Sequence, residues 1–184
     1  MAQKYKVQGI LECDVTVELE ASTPDEAESN VDMADVTVST EGVHITYCCI
    51  SRFQANGTAE DITTDQEREE MDEDDDLKFR VEGELEIEIV AEVEAESYSE
   101  AEEKMDELDV TFDDGAVICT DLTVNRFEVG EDTLDMNAHK WDEEMSKKQR
   151  MEFLLDIGCT DDCAYDVAGM ESHHVREEWL SQVL

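Results

Sequence analysis

Basic residues are scarce in this sequence. Thirteen lysines and arginines stand against 52 aspartates and glutamates in 184 residues, a formal charge of −39. That deficit argues against direct binding to nucleic acid, where phosphate contacts need clustered Lys and Arg, and against attraction to an anionic membrane. Long apolar runs are missing too. No stretch approaches the roughly 18 residues that span a bilayer, and the opening MAQKYKVQGILECDV has no apolar segment of the secretory kind. Neither a spanning helix nor a secretory leader is expected. The six cysteines (Cys13, Cys48, Cys49, Cys119, Cys159, Cys163) are few and irregularly spaced for a disulfide scaffold. They read as reduced small hydrophobes. A Gly-rich phosphate loop, a G-x-S-x-G elbow and an H-E-x-x-H pair are all absent.

What is present is regular. Hydrophobic residues make up 40% of the chain and fall in periodic patterns, so the charge does not signal disorder. Adaptation to molar salt is the economical account: there the Debye length falls to about 3 Å and self-repulsion largely vanishes. Seven lysines and acids placed on otherwise regular faces fit it.

An internal repeat organises most of the chain. Shifted by 74 residues the sequence lands on itself, with 14 of 32 positions identical between 7–38 and 81–112. Val7-Gln8-Gly9-Ile10-Leu11-Glu12 matches Val81-Glu82-Gly83-Glu84-Leu85-Glu86, and Asp35-Val36-Thr37 matches Asp109-Val110-Thr111. The glycine, the apolar phase and the cap positions repeat along with the acids, which marks a duplication.

Each copy opens with a long alternating strand. Tyr5, Val7, Leu11, Cys13, Val15, Val17, Leu19 and Ala21 share one face, and Phe79, Val81, Leu85, Ile87, Ile89, Ala91, Val93 and Ala95 repeat it. Gly9 and Gly83 mark a bulge or a close backbone approach. Thr23-Pro24-Asp25-Glu26 then forms a capping box with proline at N1, and Ser97-Tyr98-Ser99-Glu100 repeats it without the proline. Ala27, Val31 and Ala34, like Ala101, Met105 and Leu108, make the helix face that lies on a sheet. A short strand and hairpin close each copy: 36–39 through Thr40-Glu41-Gly42 into 43–53, and 110–113 through Asp114-Gly115 into 116–127. The expectation is an α+β chain of two tandem β-α-β-β units, each a helix on a three-stranded sheet, followed by a small three-helix module. Such thin units need to pair with each other or with other subunits.

Charge divides the chain further. Residues 1–54 form copy 1, with 10 acids and 3 bases, and residues 55–77 form an acidic linker, with 11 acids and 1 base. Copy 2 spans 78–128, with 17 acids and 4 bases, and a helical docking module fills 129–184. The run Glu69–Asp76 reads as a solvated tether. It lacks the EF-hand spacing, so no specific cofactor is expected, only loosely bound inorganic cations. In the last segment Trp141 and Met145 begin an apolar face. Ser146 caps a helix that ends at Gly158, Thr160 starts another that runs to Gly169, and Ser172 caps a final one bearing Val175, Trp179, Leu180, Val183 and Leu184. The spacing LLDIG-CTDDCAYDVAG-VREEWL loosely resembles small helical interaction domains of the ubiquitin-associated type; no binding residue is carried over from it.

Candidate chemistry is thin. Cys159-x3-Cys163 with His173 and His174 is a Cys2His2 set on paper, and zinc is its functional reading. Core cysteines with solvent-facing histidines are the stronger reading, because Cys163 also fits the buried helical phase. Adjacent Cys48 and Cys49 point to opposite faces of a strand. The glutamates 82, 84, 86 and 88 are the outward phase of a strand rather than an acid–base pair. No catalytic residue is nominated and the chain is expected not to be an enzyme. Interaction is the better prospect, with Trp141 and Trp179 and the strand faces around Leu11 and Leu85 as candidate contact residues.

The residues Val17 to Ala21 with Glu26-Ala27, and Val93-Glu94-Ala95 with Glu100-Ala101, make a V-x-V-E-A strand followed by a capped E-A helix. That pattern resembles small acidic accessory and structural proteins of haloarchaea and their tailed viruses. The resemblance implies a virion or other assembly component and no enzyme, working through protein partners or self-assembly, in the virion or cytoplasm of a halophilic host. The alternatives are an acidic regulator that mimics nucleic acid to block a basic partner, and a small zinc-binding adaptor.

Overall fold

Alternation over nineteen positions makes Gln3–Ala21 (β1) one continuous strand, and the repeat makes Leu77–Ala95 (β5) its twin. The computed structural model describes residues 2–72, 75–112, 115–175 and 177–180. It lays the two strands side by side, antiparallel and without a break, from Gln3 opposite Ala95 to Ala21 opposite Leu77. Glu12 faces Glu86, and these are the same position of the repeat. A pseudo-two-fold axis therefore passes between them. The short strands Val36–Ser39 (β2) and Asp109–Phe112 (β6) obey the same axis, pairing as a separate two-stranded sheet in which Thr37 faces Thr111.

The outer strands complete the exchange. Val43–Ala55 (β3) lies against β5, and Ile118–Val129 (β7) lies against β1, giving the order β3-β5-β1-β7. Each copy's last strand thus pairs with the first strand of the other copy. The element order β-α-β-β holds in both copies, but the three-stranded sheet expected within each copy does not form. An apolar strand face this long exceeds what one helix can cover. Sharing strands lets both copies bury one common face.

Two helices and the small sheet cover that face. Pro24–Asp32 (α1) starts where the Thr23 hydroxyl accepts the Glu26 N–H, and Tyr98–Met105 (α3) starts where Ser97 accepts from Glu100. The glutamates complete the caps one residue further back than the usual box, accepting from Ser22 N–H and Glu96 N–H. Ala27, Val31, Ala101 and Met105 are wholly buried against Val7, Leu11, Val17, Leu85, Ile87 and Ile89. Gly42 and Gly115 take φ of 79° and 77° before β3 and β7, the left-handed backbone a tight turn asks for. Asp113 and Asp114, expected in the second turn, lie outside the described residues.

The linker is partly built into the body. Glu60–Asp61 (β4) pairs with Arg80 and Phe79 of β5, and Asp65–Glu70 (α2) begins with a reciprocal capping box between Thr64 and Glu67. Arg68 bonds Asp61, and Lys78 bonds Glu67. These local cations offset the charge that would otherwise keep the stretch solvated.

After β7, Leu134–Asp135 (β8) pairs with Tyr5 and Lys6 and ties on the helical module. Met136–His139 (α4) runs into a π-helical turn, Lys140–Glu144. Lys147–Asp156 (α5) has its capping box from Ser146 and Gln149, and Asp161–Val167 (α6) follows Gly158 at φ 96°. Ser172 starts only a 3-10 turn, Ser172–His174, and the last helix begins later, at Glu177–Leu180 (α7). Val175 therefore precedes that helix, and Val183 and Leu184 lie outside the described residues. The module has a core of its own around Trp141, Leu154, Ala164 and Ala168.

Candidate functional site

The residues nominated for contact are mostly internal. Leu11 and Leu85 have no exposed surface; they face the shared core beneath α1 and α3. Trp141 is fully buried too, its indole Nε1–H donating to the Met170 carbonyl at 2.9 Å while the Arg150 guanidinium lies over the ring at 5.3 Å. Leu11 and Leu85 are internal because the apolar face that a single copy would expose is used up by the other copy, and Trp141 because it centres the separate core of the helical module. Trp179 is half-buried against the module core.

The zinc candidates are not gathered. Cys159 and Cys163 pack half-buried against the module core. His173 and His174 lie at the surface with ring centroids 3.8 Å apart, and His173 Nδ1 is 3.5 Å from the Glu171 carboxylate. Among the described residues no group of three or more His, Cys, Asp or Glu could hold a metal ion. Nor, among them, is any helix long and apolar enough to cross a membrane. A groove of about 500 Å³ is lined by Glu20, Thr63, Glu67, Glu70, Asp75, Asp76 and Lys78. The Lys78 ammonium and Thr64 hold the Glu67 carboxyl down at about 2.

The second face of the large sheet is open to solvent, and the fold sets its bases against acids while Asp14 and Glu84 stand opposite one another. Arg126 grips Glu12 with Nε at 2.7 Å and Nη2 at 3.2 Å, which lowers the Glu12 pKa. Its repeat equivalent Arg52 reaches Glu86 at 3.3 Å. The two pairs flank the pseudo-two-fold axis. Arg80 bonds Glu18 at 2.7 Å, while Lys4 faces Glu94, Lys6 faces Glu92 and Lys78 faces Glu20. Six of the 13 basic residues therefore stand on this one face. Opposite charges across antiparallel strands are favourable, and like charges are not.

Among the described residues both edges of this sheet are strands without a further sheet partner, β3 on one side and β7 on the other. Each carries two bulges at equivalent positions, Thr46 and Ser51 in β3 and Thr120 and Asn125 in β7. Hydroxyls of Thr46, Ser51 and Thr120 turn back to carbonyls of Val90, Glu86 and Thr16 at 2.9, 3.0 and 3.1 Å. Bulges twist an edge and limit indiscriminate pairing.

Beside β3 the open face carries exposed Ile10 and Tyr47 next to half-buried Val90 and Cys49. Sequence reasoning passed over them. Two signals pointed there: Ile10 is apolar in the outward phase of β1, and residues 42–59 contain no acid at all. Comparison with models of protein families, with curated proteins and with solved structures finds no match to this chain.

Proposed function

We propose that the protein is a non-enzymatic structural or assembly component of a halophilic system, a virion component or a cytoplasmic assembly factor, working through protein–protein contacts. The observation that carries this reading is the pseudo-two-fold body with an edge strand at each side of one sheet that has no further strand partner among the described residues. Two equivalent edges on one chain make it bivalent, and an edge offers a row of backbone donors and acceptors to a second strand. The ion pairs of the open face favour contact over electrostatic mimicry. A phosphate mimic presents unbroken carboxylate rows, whereas here Arg52, Arg80 and Arg126, bonded to Glu86, Glu18 and Glu12, interrupt the rows that include Asp14 and Glu84.

Mass measurement in molar salt tests the reading, on the purified chain and on the native lysate or particle. The expected result is a discrete oligomer or a stable complex that persists as salt rises, since apolar contacts strengthen under salting-out conditions. A complex with a basic partner that dissociates steeply with salt supports mimicry instead. A free monomer in both samples overturns assembly.

A further inference from the structure

The pseudo-two-fold axis supplies an internal comparison, because every position of the open sheet face in one copy has a counterpart 74 residues away on the same backbone geometry. Around one patch the surroundings repeat. Lys6 corresponds to Arg80, Arg52 to Arg126, Glu86 to Glu12 and Glu92 to Glu18. The centre does not repeat. Gln8, Ile10, Tyr47, Cys49 and Val90 correspond to Glu82, Glu84, Asp121, Thr123 and Thr16. Three carboxylates in one half thus become an amide, an aliphatic chain and a phenol in the other.

The register places these residues together. Ile10 lies opposite Glu88 on β5, Gln8 opposite Val90, and Tyr47 and Cys49 opposite Val90 and Glu88 from the other side. Gln8, Ile10, Tyr47, Glu88 and Val90 line a shallow groove of about 240 Å³ that crosses β5. Tyr47 and Ile10 are 49% and 38% exposed, and the Tyr47 hydroxyl meets Cys49 Sγ at 2.8 Å. The strand that carries Tyr47 lies within the acid-free stretch 42–59, in a chain where more than one residue in four is acidic.

We infer that this patch is the surface at which a second copy of the chain docks, two patches meeting across a two-fold axis. The inference rests on the assembly reading above and names its partner and its contact. Charge selects the occupant. Two bodies of −39 meet most readily where carboxylates are few, and three carboxylates of the copy 2 half are replaced here, Glu88 alone remaining between Ile10 and Cys49. Its rim carries both signs, Lys6 and Arg52 beside Glu86 and Glu92, with Glu88 on the groove floor between Ile10 and Cys49, so it is complementary to itself when turned about a dyad. A single-signed rim would instead select a partner of opposite charge.

The test uses the repeat itself. Ile10→Glu and Tyr47→Asp install the residues that copy 2 already carries at the equivalent sites, so the backbone accommodates both. Sedimentation equilibrium of the full chain in about 3 M KCl, where the Debye length is below about 3 Å, is expected to give a two-chain mass. The double variant is expected to sediment as one chain, its dimer weakened by about 100-fold or more, with the far-UV spectrum of the wild-type fold kept. A control pair, Thr16→Glu and Thr123→Asp, adds the same charge to the copy 2 half and is expected to leave the dimer intact. The inference is overturned if the wild-type chain alone is a monomer, if the double variant dimerises like wild type, or if the control dissociates equally. Assembly through another partner then still stands if the molar-salt lysate holds the chain in a complex; it falls with the inference only if the chain is free there as well.

Discussion

Gly9 and Gly83 show how single residues fix the geometry of this body. A Cβ at Gly9 would come within 2.2 Å of the Glu128 carbonyl and 2.6 Å of the Phe127 ring. One at Gly83 would meet the Phe53 ring at 2.5 Å and the Gln54 carbonyl at 2.6 Å. Phe53 and Phe127 are themselves repeat equivalents, so an aromatic ring from each outer strand fills the space left by the glycine of its neighbour. Gly9→Ala or Gly83→Ala is therefore expected to cost about 1–3 kcal/mol by overpacking, read by denaturant melting in molar salt; an unchanged midpoint would show that the outer strands yield freely. Cys13 offers a second test. Burial pushes its thiol up to about 11, while the unfolded chain releases that proton near 8.5. The folded state then holds a proton the unfolded state has lost, so stability falls as pH rises from about 9 to about 11 and is insensitive to it below. The Cys13→Ala variant should lose that slope in a pH series of melts. The opening glycines were visible in the sequence as a close approach, but each is filled by a phenylalanine of the other copy, Phe127 lying 118 residues after Gly9 and Phe53 lying 30 residues before Gly83.

At the scale of elements, caps and strand phases follow from local chemistry. Thr23, Ser97, Thr64 and Ser146 each accept the N–H three residues on. Strand partners are a different matter, since period two says which side chains are buried and not which strand lies alongside. The module shows the same limit, for Trp141 looks like a surface aromatic until Arg150 closes over it. Arg150 donates to the carbonyls of Met145, Asp142 and Met170 at 3.0, 3.0 and 3.2 Å, and the Asp142 carboxylate accepts the Ser172 N–H at 2.8 Å. Both tryptophans of the chain lie in this module and none in the sheet body. Leu154→Ala, which empties a wholly buried site, is expected to cost the module about 2–5 kcal/mol. Tryptophan fluorescence should follow that early transition while the far-UV signal of the strands melts later. A single transition by both probes would mean the two cores unfold as one unit.

For the whole molecule, the two copies are one body. Every long strand of copy 1 is hydrogen-bonded to a strand of copy 2. A protease site placed in the exposed Asn56-Gly57-Thr58 loop should therefore give a nicked chain whose pieces co-migrate in molar salt and separate only in denaturant. Independent copies would part at once. The charge acts at the same scale: lowering salt from molar to tenths of molar lengthens the Debye length from about 3 Å to about 10 Å, so the thermal midpoint should drop with dilution of KCl. A midpoint independent of salt would remove the case for a halophilic origin.

Repeat, strand phase and the helix starts at Thr23, Ser97 and Ser146 were determined by the sequence alone, because each depends on residues close together in the chain. The expected three-stranded units, and the exposed apolar faces around Leu11 and Leu85, were decided otherwise by tertiary structure. Two identical apolar faces in one chain are each other's nearest partners, so burial free energy favours strand exchange over two half-covered sheets. The same exchange sets Arg126 on Glu12 and Arg52 on Glu86, bringing bases to acids 114 and 34 residues away. Where the few bases of a chain at −39 end up is a question of which strands lie side by side, and only the folded sheet answers it.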